Sequence, residues 1–354
     1  MSVCLMMMVR DEAEWITPAL ESALALGVTS WLIADTGSKD DTKLVVQQTL
    51  GHLPGEIVDL PWEGHRATRT ALFRRAQGRA DWLLMLDADM TISGTAPILA
   101  PHEQSFDAYR ATIKQDGWEY SMLVLFRGDR AWSYEGVVHS YPDIVGESWS
   151  AASSDLVIED RRPGAFRPEK LQEDARALEK ALEDNPLDAR SSYYLAQTYE
   201  DMGRAGDAIR EFGRRALLGG WDEERYVAKY RRARLLRERD PLTALSALLE
   251  AWQERPTRAE PLYQAARLCR QTGWHDLALV FARRASTIQR PADRLNIEPG
   301  IYDWGVQLEL GIAEKRVGSR KTGERILRQL HKQEVVPDGI KDWIGELLEE
   351  AVTV

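Results

Sequence analysis

Two carboxylates one residue apart, Asp87 and Asp89, follow the apolar run Trp82-Leu83-Leu84-Met85-Leu86. Across a turn, alternate side chains can point together, so the pair can reach a single cation. Hard carboxylate oxygens suit Mg²⁺ or Mn²⁺, ions that keep positions open for phosphate oxygens. An Asp-x-Asp recurs by chance in many chains, and it gains weight at a strand end within an α/β half. A second set is Trp31-Leu32-Ile33-Ala34-Asp35-Thr36-Gly37-Ser38-Lys39-Asp40-Asp41-Thr42. Here too an apolar run ends in a carboxylate, a tight turn follows, and Asp40 is placed to cap the next helix. Asp35 at a sheet edge can accept from a base N–H or a ribose hydroxyl. Simple turn chemistry is the competing reading for it.

The elements that must position these groups can be read from Val3 to about Pro142. Val3–Val9, Trp31–Ala34 and Trp82–Leu86 read as strands; Glu12–Leu26, Asp40–Leu50 and Arg66–Gln77 read as helices. Alternating strand and helix predict a parallel sheet covered on both faces. Such sheets bind ligands beyond the carboxyl ends of their strands, which is where both acidic sets lie. A further strand is expected at Ser121–Phe126, after the turn Asp116-Gly117-Trp118.

Beyond about Phe166 strand-like runs stop and the sequence repeats itself. Ala208, Ala244 and Ala278 are spaced by 36 and 34 residues, and Phe212, Leu248 and Ala282 follow each by four. Ala196 and Ala266 precede the first and third by twelve; Gly311, Gly323 and Leu327 form a weaker copy 45 residues on. A period near 34 with small residues where paired helices cross is the tetratricopeptide signature. Asn185-Pro186 and Arg255-Pro256 punctuate the units, and Ile340–Val352 is an amphipathic cap for the stack.

Composition sets the outer bounds. A chain of 354 residues, 44% hydrophobic and 29% charged, reads as two ordinary globular domains. The expected division is residues 1–165 and 166–354. No apolar run approaches the length of a membrane span, and Val3–Val9 has neither the basic flank nor the cleavage site of a signal peptide. Cys4 and Cys269 make no metal or redox spacing and read as reduced core residues, so a cytoplasmic protein is expected. The net charge of −10 resides in the first half: residues 1–160 carry 24 acidic and 12 basic side chains, while the remainder is near neutral. Neither half is basic enough for a duplex-binding surface, which disfavours nucleic acid as a partner.

The order of blocks adds a resemblance. Met6-Met7-Met8-Val9-Arg10-Asp11-Glu12, then Asp35 to Thr42, then Leu86-Asp87-Ala88-Asp89, resemble the successive blocks of family 2 glycosyltransferases. Tyr134-Glu135-Gly136-Val137-Val138-His139 is similar to the Gly-x-x-His element of a bacterial branch that carries repeats. In the helical half, Gly219-Gly220-Trp221-Asp222-Glu223-Glu224, Arg255-Pro256-Thr257-Arg258-Ala259-Glu260 and Tyr302-Asp303-Trp304 also look like that branch. Bacterial peptide S-glycosyltransferases share the domain combination.

The resemblance implies a GT-A fold (the Rossmann-like α/β fold of nucleotide-diphospho-sugar transferases) followed by an all-α repeat domain. It implies inversion at the anomeric carbon, a nucleotide-sugar donor (a UDP-sugar first), and a peptide or protein acceptor. Asp35, Arg69 and Asp87 would bind the nucleotide sugar, and Asp87, Asp89 and His139 would hold Mn²⁺ or Mg²⁺. Two features depart from the pattern. Arg69-Thr70 stands where members commonly have Arg-Asn, and His139-Ser140 where many read His-Glu. Glu135 and Asp116 remain as candidates for the catalytic base. Trp62, Trp118 and Trp132 can offer an apolar face to a sugar ring, although tryptophans at such spacing usually belong to the core. The acidic layout also fits a sugar nucleotidyltransferase, but Arg10-Asp11-Glu12-Ala13 is not the glycine- and lysine-rich loop such enzymes show. A repeat-based interaction protein with a degenerate α/β half, and transfer to a nucleic-acid base or glycan, stay open as alternatives.

Overall fold

β1 (Val3–Val9) is apolar throughout because both of its faces are covered. Leu5, Met7 and Val9 join Ile16, Leu20, Ile33, Val46 and Leu50 in one core. Cys4 and Met6 join Leu32, Leu72, Phe73, Leu83 and Met85 in another. Successive residues of a strand face opposite sides, so a doubly covered strand must be apolar at every position. The computed structural model describes residues 1–95, 106–115, 117–161 and 168–349. It divides into two units, Met1–Arg167 and Pro168–Val354.

In the first unit β1 is followed by α1 (Ile16–Leu26), β2 (Ser30–Asp35), α2 (Thr42–Leu50), β3 (Gly55–Asp59), α3 (His65–Ala76) and β4 (Trp82–Met85). Then come β5 (Met90–Ser93), β6 (Ala108–Gln115), β7 (Trp118–Arg127), the small hairpin β8 (Ser133–Glu135) and β9 (Tyr141–Asp143), and β10 (Ala151–Asp160). The main sheet has the order β3-β2-β1-β4-β7-β6-β10-β5. The sheet is mixed, so the expected parallel pairing holds for its first four strands and not beyond them. β3, β2, β1 and β4 are parallel, but β7 is antiparallel to both β4 and β6, and β5 to β10. No described helix lies between β4 and β10; β6 and β7, which follow each other directly in the chain, pair antiparallel, while β10 runs parallel to β6. The register aligns Val9 with Asp35 and Asp35 with Asp59, so the carboxyl ends of three strands share one edge.

The second unit is all helix: α4 (Pro168–Asp184), α5 (Ala189–Asp201), α6 (Ala205–Leu217), α7 (Asp222–Leu236), α8 (Pro241–Glu254), α9 (Glu260–Gln271), α10 (His275–Ala285), α11 (Val306–Arg316), α12 (Arg320–His331) and α13 (Asp338–Glu349). Ala196, Ala208, Ala244, Ala266, Ala278 and Ala282, the residues that set the period, are all buried. At the fourth crossing, a Cβ on Gly323 would stand 2.3 Å from the Lys315 amide nitrogen and 2.6 Å from the Gly311 carbonyl oxygen. Only glycine lets α11 and α12 approach this closely.

The longer last interval comes from an inserted strap, residues 286–300, and a π-helical turn at Ile301–Gly305. The three motif blocks of the helical half meet on that strap. Glu223 accepts from the amides of Arg294 and Leu295 at 2.7 and 2.9 Å. Fully buried Arg258 donates to Glu260 and to the carbonyls of Leu295 and Asn296. Arg255 bridges Asp222 and Asp293, and the Tyr302 hydroxyl donates to Glu260 at 2.6 Å. Buried charges persist only when paired and hydrogen-bonded, and here each has its partner.

Candidate active site

Asp35 ends β2 and is almost wholly enclosed, its side chain 1% exposed. Its carboxylate accepts from the backbone amides of Gly37 and Ser38 and lies 3.2 Å from the Lys43 ammonium. Gly37 holds φ at 107°, a conformation that side-chain-bearing residues rarely adopt. Burial works against the charge of Asp35, but the Ser38 and Lys43 bonds outweigh it and hold its pKa below the ordinary carboxylate value. Lys43 also reaches Asp59 at the end of β3, at 2.5 Å.

This turn is tied to the loop after β1. The Lys39 amide donates to Asp11 at 2.7 Å, the Asp11 amide to the Ser38 hydroxyl, and the Glu12 amide to Thr42. Asp40 was expected to cap α2, but the N-cap position falls on Asp41; Asp40 accepts from the amides of Thr42 and Ala13 and so ties the two loops together. The oxygens of Asp35, expected to bind the nucleotide, meet the amides of its own turn and the Lys43 ammonium. The residue shapes the edge of the site from beneath, while Lys43 and Asp59 present the exposed charges. The sequence reading did not single out either of those two; their signal was placement at or just after a parallel strand's end.

The second half of the site is organised by α3. Arg69 Nη2 donates to both oxygens of Asp87 at 2.8 Å, and the guanidinium carbon lies 5.4 Å from the centre of the Tyr134 ring. The Asp87 charge raises the pKa of Arg69 above its already high value against the opposing effect of burial, so the residue is a permanent cation. Both bonds use Nη2; buried Nε has no hydrogen-bond partner among the described residues. One turn earlier, Arg66 donates to Glu135 at 2.8 Å and to the Tyr134 carbonyl at 3.1 Å. Residues three apart share a helix face, so α3 draws Asp87 and Glu135 to neighbouring positions.

Thr70, the departure from Arg-Asn, accepts from the Tyr134 amide at 2.9 Å and so fastens the hairpin to the helix. Buried Tyr134 stacks on Phe73, and enclosure pushes its hydroxyl up to about 12. Arg66, Thr70 and Tyr134 were also missed as functional residues, although Arg66 lies one helical turn before a residue that was chosen.

His139 stands in the turn between β8 and β9, exposed, with φ at 50°. Ser140 beside it has a buried hydroxyl oxygen with no hydrogen-bond partner among the described residues. Asp116 lies outside the described residues. Of the three tryptophans, Trp132 is core and donates to the Arg127 carbonyl, and Trp118 opens β7. Trp62 is the exposed one at the carboxyl end of β3, edge-on to His65.

Among the described residues, no three His, Cys, Asp or Glu side chains gather closely enough to hold an ion. The expected set of Asp87, Asp89 and His139 is therefore not a preformed cage, because Asp87 is engaged by Arg69 and His139 stands at the hairpin tip. Mg²⁺-like ions bound with phosphates need only one or two carboxylates, with the remaining positions going to phosphate oxygens and water. The donor set Asp87 and Asp89 fits an ion shared in that way.

Residues 4–117 match the glycosyl transferase family 2 model, and residues 177–210 match a tetratricopeptide repeat. No match was found among curated proteins. Among solved structures, a crystal structure of MamA is 21% identical over 46% of this chain and 87% of that one, with a TM-score of 0.38. YrrB, described as a TPR protein with an unusual peptide-binding site, is 18% identical over 51% and 85%, with a TM-score of 0.39. MamA from Desulfovibrio magneticus RS-1, from residue 41 to its end, is 16% identical over 45% and 83%, with a TM-score of 0.35. Among the described residues, no helix is long and apolar enough to cross a membrane.

Proposed function

From the premise of a family 2 glycosyl transferase domain followed by tetratricopeptide repeats, we propose that this chain transfers a sugar from a nucleotide-sugar donor, a UDP-sugar first, to a peptide or protein side chain, with inversion. The observation that carries this reading is the Arg69–Asp87 pair beside Asp89, at the carboxyl end of a parallel strand where α/β sheets bind their ligands.

The Asp35 turn and Lys43 form the floor for the nucleoside. Arg69 is fixed against Tyr134 with its Nε unpaired, a cation ready for a phosphate oxygen. Asp89, with Asp87 and His139, would hold Mn²⁺ or Mg²⁺, which when bound neutralises charge on the departing diphosphate. Glu135, oriented by Arg66, is the base that takes the acceptor's proton. The acceptor oxygen or sulfur forms a bond to the anomeric carbon as the bond from that carbon to the phosphate oxygen breaks. Its electron pair leaves on the nucleoside diphosphate. One in-line displacement of this kind inverts the configuration. Asp35 serves this chemistry by ordering the loop and does not touch the reacting atoms.

The test is nucleotide release by the purified full chain from a panel of nucleotide sugars with Mn²⁺ or Mg²⁺. Turnover of at least one donor, abolished in Asp89→Ala, is the expected result. No release from any donor, with or without a candidate peptide, would overturn the reading.

A further inference from the structure

The strap between α10 and the π-helical turn, residues 286–300, is fifteen residues long. The equivalent links between repeats, residues 218–221 and 255–259, have four and five. Short links are the ordinary ones, and a connection of the strap's length usually has a task of its own.

The strap follows α7. Glu223, Tyr230 and Arg234 share one face of that helix. Glu223 takes the amides of Arg294 and Leu295, while Glu298 accepts from the Tyr230 hydroxyl at 2.6 Å with Arg234 3.7 Å away. Seven residues of helix rise about 10 Å, and three to four of open chain cover about the same distance, so the strap runs along the helix here and not across it. Between these contacts Asn296, at φ 49°, brings the successive carbonyls of Leu295 and Asn296 to Arg258, at 3.1 and 2.6 Å. Asp293 meets Arg255 at 2.5 Å and Arg258 at 3.1 Å, and Ile297 is buried. Backbone groups, two carboxylates and one apolar side chain thus hold the strap, which is how an extended ligand is held on a helical surface.

The face beneath keeps its charges paired without the strap. Arg258 retains Glu260 at 2.7 Å, Arg255 retains Asp222 at 2.6 Å, and Glu223 retains Arg255 at 3.9 Å. Glu260 also keeps the Tyr302 hydroxyl. Breaking a buried ionic network is costly when it leaves a charge stranded, and these contacts prevent that when the strap lifts. Tyr230 and Arg234 would then turn to water.

We infer that residues 293–298 are a tethered ligand of α7 and the start of α9: an internal segment that docks on this face and keeps it closed to any other polypeptide until it lifts. The strap is then an autoinhibitory contact within the helical half, and its action needs no sugar transfer.

Asp293→Ala combined with Glu298→Ala removes both carboxylate anchors of the strap and leaves the face of α7 and α9 unaltered. A fluorescein-labelled peptide of residues 290–300 is titrated into the full chain and followed by anisotropy. It should bind this double variant about tenfold more tightly than wild type, whose own strap competes at an effective concentration on the order of millimolar. The same peptide carrying Asp293→Asn and Glu298→Gln should bind neither protein. No binding to the variant, equal affinity for variant and wild type, or equal binding of the neutral peptide would overturn the inference. Hydrogen-exchange mass spectrometry on wild type decides the matter should the variant fail to fold. Residues 290–300 should exchange by local opening, about tenfold faster than α7. Exchange of strap and α7 at one rate would show the strap to be part of the fold and not its occupant.

Discussion

Arg69→Ala removes the partner of Asp87 and the cation that lies over Tyr134. Its cost can be worked from the contact. One nitrogen donates to both carboxylate oxygens at 2.8 Å, with Arg69 18% and Asp87 32% exposed. Hydrogen bonds to charged groups contribute about 1.5–3 kcal/mol, and the solvent that reaches Asp87 puts this one near the lower end, at about 1.5 kcal/mol. In a unit of this size that corresponds to about 3–6 °C in melting temperature. The assay is a double-mutant cycle by scanning calorimetry on wild type, Arg69→Ala, Asp87→Ala and the double variant. The second substitution should cost less once the first is made, by about the same 1.5 kcal/mol. Arg69→Lys should fall between wild type and Arg69→Ala, because an ammonium keeps the charge but loses the planar contact with the ring. Additivity of the two single changes within about 0.5 kcal/mol would refute the claim that Arg69 holds Asp87.

Three further outcomes are expected. Asp89→Ala should abolish donor turnover in a folded protein, as should excess chelator; full activity in either sinks the metal assignment. Asp35 has a folded pKa below its unfolded value of about 3.9, so its stabilisation is complete above that value and is lost as pH falls through the lower folded pKa. Unfolding curves should therefore converge for wild type and Asp35→Asn under strongly acid conditions and separate near neutrality; a constant gap at all pH values would show that its ionised form is not favoured by the fold. Glu135→Gln should bind donor normally yet transfer sugar slower by about 10²–10⁴-fold, as steady-state kinetics with the acceptor would report; undiminished transfer removes Glu135 as the base.

The elements that could be read from the sequence are those whose side chains repeat a periodic demand. β1 is apolar on both faces, and the alanines of the helical half recur wherever two helices must cross. Both patterns stand in the chain at fixed spacing, and the structure places them where expected. β3, with its mostly exposed Gly55-Glu56-Ile57-Val58-Asp59, has little periodic signal because it lies at the edge of the sheet. Of the strands after β4, β7 was legible as the run Ser121–Phe126, whereas the pairings of β4 with β7 and of β10 with β6 and β5 join segments far apart in sequence, which no local run encodes. Among the site residues, Asp87 and Asp89 were visible because a strand ran into them. Arg69 was legible only through the resemblance and Arg66 not at all, since both acquire their partners only when α3 comes to lie against the hairpin and the β4 turn.

The two departures from the family pattern then take on different meanings. Thr70 is smaller than asparagine, yet its hydroxyl oxygen takes the Tyr134 amide proton, and that bond sets where the hairpin begins. The same hairpin carries Glu135 at the end of β8 and His139 in its turn, so a residue in the helix fixes the position of both. Ser140 offers no such compensation: its hydroxyl oxygen is buried without a hydrogen bond among the described residues, and a serine cannot replace a glutamate as a proton acceptor near neutral pH. If a base acts in this site, it must come from another position, and the Arg66 contact places the Glu135 carboxylate one helical turn from the Arg69–Asp87 pair. α3 therefore sets the spacing between the group that would meet the diphosphate and the group that would take the acceptor's proton. The proposed in-line transfer would need these on opposite sides of the anomeric carbon, so the proposed roles depend on the spacing that two arginines three residues apart set on one rigid element.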